Sequence, residues 1–399
     1  MSPPADRNAI RNADGNVAII DAARAVIASR GLSGMSLRTV AENAGISVGS
    51  ISYRIGDRAA LVEAIVDREI EIMEGVRQTW RDRLGSVDPM GAGLLPDLIC
   101  EWLDDGARER RTSAVVTCEL ALQASRDPQA LPRIGELLDA GAGLWRDLLP
   151  AAPDGERLAL LIACYCLDEQ PFSILLSDNL DYRLLRHSTV RALLRKDDEP
   201  VSPDIGQWHM ALVDRLAEPA AAAFDRAGDM PLGAKAVLAE HIADVIITQG
   251  VGALSHRVIA QASGMAVSSI AHHYPGHRDI LFAGVEALYR RMRADLRTAN
   301  APAPGNGDII RLTHESALTA LNNPGFMPFA IDMRRRRAEN VHVQVAQWLG
   351  IPVDSDRARV QAVVMAFIGE GLRTLATDEP QKSATDLIEA FTKDSTNVF

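Results

Sequence analysis

A helix, a tight turn and a second short helix occur twice in this 399-residue chain, 219 residues apart. The first copy reads GLSGMSLRTVAENAGISVGSISYRIGDRAAL, Gly31 to Leu61, and the second GVGALSHRVIAQASGMAVSSIAHHYPGHRDI, Gly250 to Ile280. Val26 to Ile51 aligns without a gap on Val245 to Ile270, with ten of twenty-six positions identical. The doubling constrains the fold: each copy implies a three-helix unit, and the rest of the chain must hold both. Helix-turn-helix units that read DNA usually act in pairs supplied by two subunits. This chain carries both.

The length suits two to four modules rather than one core. Hydrophobic residues make up 47% and aromatics 5%, a balance rich in Ala and Leu that favours an all-α fold. No apolar run stands out as a membrane span, and the start, MSPPADRNAIRNADG, lacks a signal-like apolar stretch, so a cytoplasmic protein is expected. Cys100, Cys118, Cys164 and Cys166 lie between the two motifs on expected helices and read as buried free thiols. The net charge of −11 argues against nucleic acid as a whole-chain sum. Locally the balance reverses: Arg24, Arg30, Arg38, Arg54 and Arg58 outnumber Asp21, Glu42 and Asp57, and Arg7 and Arg11 extend the excess. The second copy instead concentrates histidines at 241, 256, 272, 273 and 277.

Periodicity predicts a helix over Asn16–Ser29 closed at Gly31, a second capped by Ser36 and ending near Gly45, and a third from Ser47 to about Arg54. A long fourth helix follows the Gly56–Asp57 break, and the same order recurs from Val245 onward. Further helices are expected at Pro96–Arg110, Ser113–Ser125, Leu131–Leu149 and Glu156–Leu176. Glu156–Arg157 and the apolar run after it match Asp356–Arg357 at an offset near 200, so the second half has lost roughly 20 residues in its regulatory segment. Lys196–Pro200 reads as a loop. Asp204–Arg226 reads as a connector helix with Ile205, Trp208, Leu212 and Leu216 on one face and a kink at Pro219. The expected divisions are residues 1–60 (first head), 61–203 (first helical module), 204–230 (connector), 231–282 (second head) and 283–399 (second helical module), with a boundary near Gly228–Pro231.

In the first head, Val40, Ala41, Ile46 and Ile51 are the expected core and Gly45 permits the turn. Ser47, Val48, Gly49, Ser50, Ser52 and Tyr53 form the exposed reading face; Arg54 and Arg58 can meet phosphates, and Arg38, beside the Ser36 cap, can reach a base edge. These residues resemble the TetR family of one-component bacterial transcription regulators. The family's Gly, Ser/Thr cap, Ala-x-x-Ala-Gly-Val-Ser turn, Gly-x-Leu-Tyr-x-His-Phe helix and following Lys appear here as Gly31, Ser36, Ala41, Ala44–Ser47, Gly49–Ile55 and Arg58. The second copy has Gly250, Ser255, Ala260, Ser263–Ala266, Ser268–Tyr274 and His277. There the matching DNA-facing positions are Ser255, His256, Arg257, Ala266, Val267, Ser268, Ser269, Ala271, His272, His273 and His277. The family Tyr is Ser52 in one copy and Ala271 in the other, and His277 replaces a full cation, so the second head should bind phosphate more weakly.

The resemblance implies an all-α tandem of two repeats, each a DNA-binding head followed by a helical ligand and dimerisation module. It implies repression relieved by a small, apolar effector, pairing of Glu156–Leu176 with Asp356–Leu375 in a four-helix bundle, and either a monomeric pseudo-dimer or a homodimer of such chains. Unlike exposed residues in the two heads imply an operator with unlike halves. Trp102, Trp145, Tyr165 and Phe172 are candidate lining of an effector pocket, with core packing the equal alternative. Arg334–Arg337 spread around a helix and read as solvated or as an interface; Asp168–Glu169 show no partner. No Walker loop, GxSxG or HExxH occurs, so no catalysis, cofactor or metal is expected. The competing reading is a helical ligand- or partner-binding protein that kept the motif as structure and lost DNA affinity.

Overall fold

In the computed structural model the described residues are 7–149, 155–195, 202–221, 233–295, 307–339 and 341–379, helical throughout and without a strand among them. The first head is α1 (Arg7–Arg30), α2 (Leu37–Ala44) and α3 (Val48–Arg54). Each boundary has a local cause. Gly31 ends α1 at φ 73°, Ser36 accepts the Thr39 amide in a capping box, and Gly45 closes α2 at φ 66°. Ser47 caps α3 on the Ser50 amide. Ile19, Ala23, Val40, Ala41 and Ile51 bury together under α4 (Arg58–Leu84), which Asp57 caps. Ile46, expected in that core, is instead 37% exposed, because the left-handed Gly45 turns the chain outward just before it.

The first helical module continues with α5 (Leu95–Ala107), α6 (Arg111–Ala124), α7 (Ile134–Leu148), α8 (Gly155–Leu176) and α9 (Leu180–Leu193). The first four match the expected helices to within a few residues at each end, and α9 was not expected from the sequence. α10 (Pro203–Arg215) is the start of the connector, and its helix breaks at Leu216, upstream of the expected kink at Pro219. Its buried face is His209, Leu212, Val213 and Leu216, whereas Ile205 and Trp208, expected inward, are 46% and 40% exposed. His209 lies against Ser188 of α9 (3.0 Å), and burial pushes its pKa down to about 3. The expected loop at Lys196–Pro200, the connector beyond 221 and the boundary at Gly228–Pro231 lie outside the described residues.

A second three-helix unit follows: α11 (Ala234–Gln249), α12 (His256–Ser263) and α13 (Val267–His273). Its turn geometry repeats the first, with Gly250 at φ 84°, Ser255 capping the Val258 amide and Gly264 at φ 70°. Behind it stand α14 (His277–Asp295), α15 (Gly307–Asn322), α16 (Met327–Arg335), α17 (His342–Trp348) and α18 (Arg357–Thr377).

The halves meet along α8 and α18. Gly369 of α18 lies so close to the Cys164 carbonyl that an added Cβ would sit 1.9 Å from that oxygen. α8 is also long and apolar enough to cross a membrane by composition, which the bare sequence did not suggest, yet 72% of its apolar window is buried inside the protein. Its Asp168 and Glu169 are wholly buried.

Those carboxylates find their partners across the boundary between the halves, a correction to the expectation that they stand alone. Glu169 accepts from Arg334 Nε at 2.8 Å, Asp168 accepts from Arg337 at 2.8 Å, and Gln361 of α18 accepts from Arg334 at 3.0 Å. The arginine run 334–337 is therefore an interface element rather than a solvated one; Arg334, Arg335 and Arg337 are all buried. It escapes solvent because α16 ends at Arg335 and the chain turns through Ala338 at φ 70°, aiming two guanidinium groups at α8. Removing one partner of such a buried pair costs about 3–5 kcal/mol.

Gly369→Ala should force α8 and α18 apart and lower stability by about 1–3 kcal/mol, read as a fall in thermal midpoint. An unchanged midpoint would contradict the close crossing.

Candidate nucleic-acid interface and interior cavity

In the first head the reading helix α3 turns Val48, Gly49, Ser52, Tyr53 and Arg54 to solvent, while Ile51 is buried and Ser50 is half-buried. Tyr53 is 92% exposed, an unusual state for an aromatic ring and a suitable one for a group that meets a base edge or sugar. Ser47 is exposed, but its hydroxyl is engaged as the α3 cap (3.1 Å to Ser50 N). Ser36 is likewise engaged with Thr39. Arg38 can swing outward, held by an exposed pair with Glu42 at 3.2 Å. Arg58 is occupied: its guanidinium donates to the carbonyls of Met35 and Leu32, each at 3.1 Å. It fastens the 32–34 turn to α4, a contact the sequence motif does not announce.

The second head places its counterparts similarly with less charge and less anchoring. Arg257, Ala266, Val267, Ser268, Ala271 and His272 are exposed, and Ser269 and His273 half-buried. Ala266 stands where Ser47 caps the first reading helix, and α13 has no side-chain cap. A missing cap of this kind costs about 1 kcal/mol of helix stability. Ser255 is engaged as a cap, and His256 is turned inward, its Nε2 donating to the Tyr274 carbonyl at 2.8 Å. His272 and His273 pack edge to face at 5.4 Å. His277 is exposed beside the seam between the heads.

The two heads touch at the short turns Leu32–Gly34 and Val251–Ala253, where a Cβ on Gly252 would sit 2.1 Å from the Ser33 Cβ. Each turn is held from the body by one carboxylate. Glu119 of α6 accepts the Leu32 amide at 3.0 Å, and Glu315 of α15 accepts the Val251 amide at 2.9 Å. Arg126, just past α6, reaches across to Glu315 and to the Ile247 carbonyl. The cleft between the heads holds about 1140 Å³ of empty space, lined by Arg58, Glu119, Arg126, His277 and Glu315 among others. Burial, opposed by the Leu32 amide and joined by the nearby Glu315 charge, pushes the Glu119 carboxyl up to about 7. These carboxylates were not singled out from the sequence, since a lone Glu in an apolar helix has no motif.

A separate, mostly apolar cavity opens inside the first helical module. Trp102 and Trp145, both buried in the module's core, line it along with Met73, Leu138 and Thr117. Tyr165 and Phe172 do not. The cavity face of α8 is Leu160, Ala163, Cys164, Cys166, Leu167 and Gln170, related by helical spacings of three and four, and neither aromatic falls on it. Tyr165 is buried with its hydroxyl on Thr189 (2.8 Å), and Phe172 packs in the core shared with the second head, under Arg337 at 5.0 Å. All four cysteines are free and buried, with Cys100 and Cys118 pushed up to about 12 by desolvation. Among the described residues no group of His, Cys, Asp or Glu could hold a metal ion.

Residues 19–65 match the sequence model of the family described as "Bacterial regulatory proteins, tetR family". The chain is also similar to the "HTH-type transcriptional regulator TtgR" of Pseudomonas putida, 29% identical over 175 residues, covering 41% of this chain and 81% of the relative.

Arg54→Ala should lower affinity for every DNA sequence and reduce the salt slope by about one phosphate contact. Arg58→Ala should lower the thermal midpoint as well, since it also frees the 32–34 turn; loss of affinity with no change in midpoint would contradict the latch. The Glu119 carboxyl titrates higher in the folded than in the unfolded chain, so its contribution to stability is full below about pH 4.5 and lost as pH rises through about 7. Glu119→Gln should flatten the stability profile in that window.

Proposed function

Since the chain is a TetR-family transcription regulator by its first DNA-reading domain, we propose that it works as a single-chain pseudo-dimer. In this reading two TetR-like repeats are fused, and both heads face one stretch of DNA. The observation that carries it is the pair of matching latches. The held amides, Leu32 and Val251, stand 219 residues apart, and the holding carboxylates, Glu119 and Glu315, stand 196 apart on helices that both flank the seam. Pro128 and Pro324, each opening a short turn after its latch helix, keep the same 196 spacing. The domain divisions 1–60, 61–203, 204–230, 231–282 and 283–399 belong to this proposal.

The DNA-facing set is Arg38, Val48, Gly49, Ser52, Tyr53 and Arg54 in the first head and Arg257, Val267, Ser268, Ala271, His272 and His273 in the second. The engaged caps and latches Ser36, Ser47, Ser50, Arg58, Ser255 and His256 position them, with Ala266, Ser269 and His277 at the margins. Only phosphate-neutralising cations release counterions, so the head with Arg38 and Arg54 grips more strongly than the head with Arg257 and His273 in those places. The operator then has unlike halves, spaced about one helical turn, roughly 34–36 Å.

Control comes from a small effector in the first-module cavity. α6 presents Ser113, Ala114, Thr117 and Cys118 to that cavity and, on the adjoining face, Glu119 to the first head. Arg24 of α1 adds a second tie, donating to Ser113 of α6 (2.8 Å) and Glu69 of α4 (2.6 Å). A ligand that displaces α6 changes the position of the Leu32 turn, and with it the spacing of the reading heads. DNA release on ligand binding makes the protein a repressor acting in the cytoplasm.

Selection of bound sequences from a random DNA pool, with the mass of the complex measured in solution, tests the proposal. One chain on a site of two unlike halves is expected. A strict palindrome bound by two chains would overturn the single-chain pseudo-dimer.

A further inference from the structure

The two helical modules occupy equivalent positions about the seam, yet their interiors differ in kind. At the 196 spacing that relates Glu119 to Glu315 and Pro128 to Pro324, Leu138 of the first module stands opposite Arg334, and Gly141 opposite Arg337. Leu138 and Gly141 border the cavity, and a Cβ on Gly141 would meet nothing within 4 Å. Arg334 and Arg337 are buried and engaged with Glu169 and Asp168 of the other half. Cys118, a cavity residue, stands opposite His314, which is wholly buried with Nδ1 donating to the Ile310 carbonyl and Nε2 3.6 Å from Asp168.

The walls differ as well. α5 brings Trp102 to the cavity, edge to face with Trp145 at 6.1 Å. The single α7, 15 residues long, is answered by α16 and α17, of nine and seven residues, broken apart by the turn that carries Arg336 and Arg337.

We infer that this regulator has one effector site per chain, in the first module alone, and that the site takes an uncharged, flat aromatic molecule. At the equivalent positions in the second module stand the Arg334–Glu169 and Arg337–Asp168 pairs, and the pocket beside them is walled by Arg335, Arg336, Arg337, Glu339, His209 and His342, a charged lining that does not suit such a molecule. The inference deepens the effector role given above and rests on it only for the link to DNA.

The ligand class follows from the lining. Two indole rings, Met73, Leu137, Leu138 and Ala142 offer apolar and aromatic surface, and the polar groups are neutral: Ser113, Thr117, Gln170 and buried thiols. Two cations reach the wall, and both are already matched. Arg110 stacks on Trp102 at 3.5 Å and is paired with Asp105 at 2.6 Å. Arg373, contributed by α18 of the second half, is paired with Glu370 and Glu379 at 2.9 and 2.8 Å. An anionic ligand would have to break one of these pairs, and a cationic ligand would find no open carboxylate in the lining. Because Arg373 comes from the second half, the site is complete only in the full chain.

The full chain titrated with N-phenyl-1-naphthylamine, an uncharged aromatic fluorophore, tests both parts. Saturation at one probe per chain, with quenching of tryptophan emission, is expected. The sulfonated analogue 8-anilinonaphthalene-1-sulfonate should bind at least about tenfold more weakly. Gly141→Leu should weaken the neutral probe by about tenfold or more while leaving the thermal midpoint in place. Leu138→Phe provides a second narrowing of the same space. Two probes per chain, equal binding of the sulfonate, or unaltered binding in both variants would overturn the inference. The DNA-linked reading is judged apart from these, by whether the bound probe lowers operator affinity.

Discussion

The arrangement of both halves depends on four buried charges, Asp168 and Glu169 on α8 with Arg334 and Arg337 at and just after the end of α16. Moving a carboxylate or guanidinium out of water costs several kcal/mol per ion, so such groups persist only where each is matched. Here the matching is thorough: Glu169 also accepts from the Tyr182 hydroxyl at 2.5 Å, and Arg334 also donates to Gln361. Apolar packing along α8 and α18 tolerates small slips, but a slip here strands an ion. The pairs therefore fix the register of the halves, and the Gly369–Cys164 approach fixes their distance. The heads inherit that register through α6 and α15.

The same charges explain why the molecule is unsymmetrical inside while nearly symmetrical outside. The pair of turns, the pair of latches and the pair of left-handed glycines make the two heads alike in backbone. Behind them, one module keeps an apolar space bordered by Leu138 and Gly141, and the other sets at those positions arginines that hold the halves together, beside a pocket lined by charged side chains. The reading heads diverge in parallel: the first retains a capped reading helix and cations, the second an uncapped helix and histidines.

Much of the local structure was legible in the residues. Ser36, Gly45, Ser47 and Asp57 mark helix ends by chemistry that acts within four residues, and all four act where expected. The α8 and α18 helices were legible as apolar runs of matching pattern. What failed involved orientation. Ile205 and Trp208 share a face with Leu212 by spacing, yet the helix is rotated so that His209 is buried instead. Tyr165 and Phe172 lie on the right helix but off the stripe that meets the cavity. Arg58 looked like a phosphate ligand and is tied to two carbonyls.

The sequence by itself determined that this chain is all-helical, that it carries two helix-turn-helix units, and which of them has the charge to bind phosphate. Caps, turns and hydrophobic spacing are short-range, so they can be read along the chain. Only the tertiary structure decided that three of the four arginines of the run are buried, that Glu119 and Glu315 hold the heads, and that one module has an apolar cavity where its counterpart has a charged one. The latches span 87 and 64 residues and the arginine pairs 165 and 169. Over such separations a charge's partner is set by the fold's geometry rather than by its neighbours in sequence.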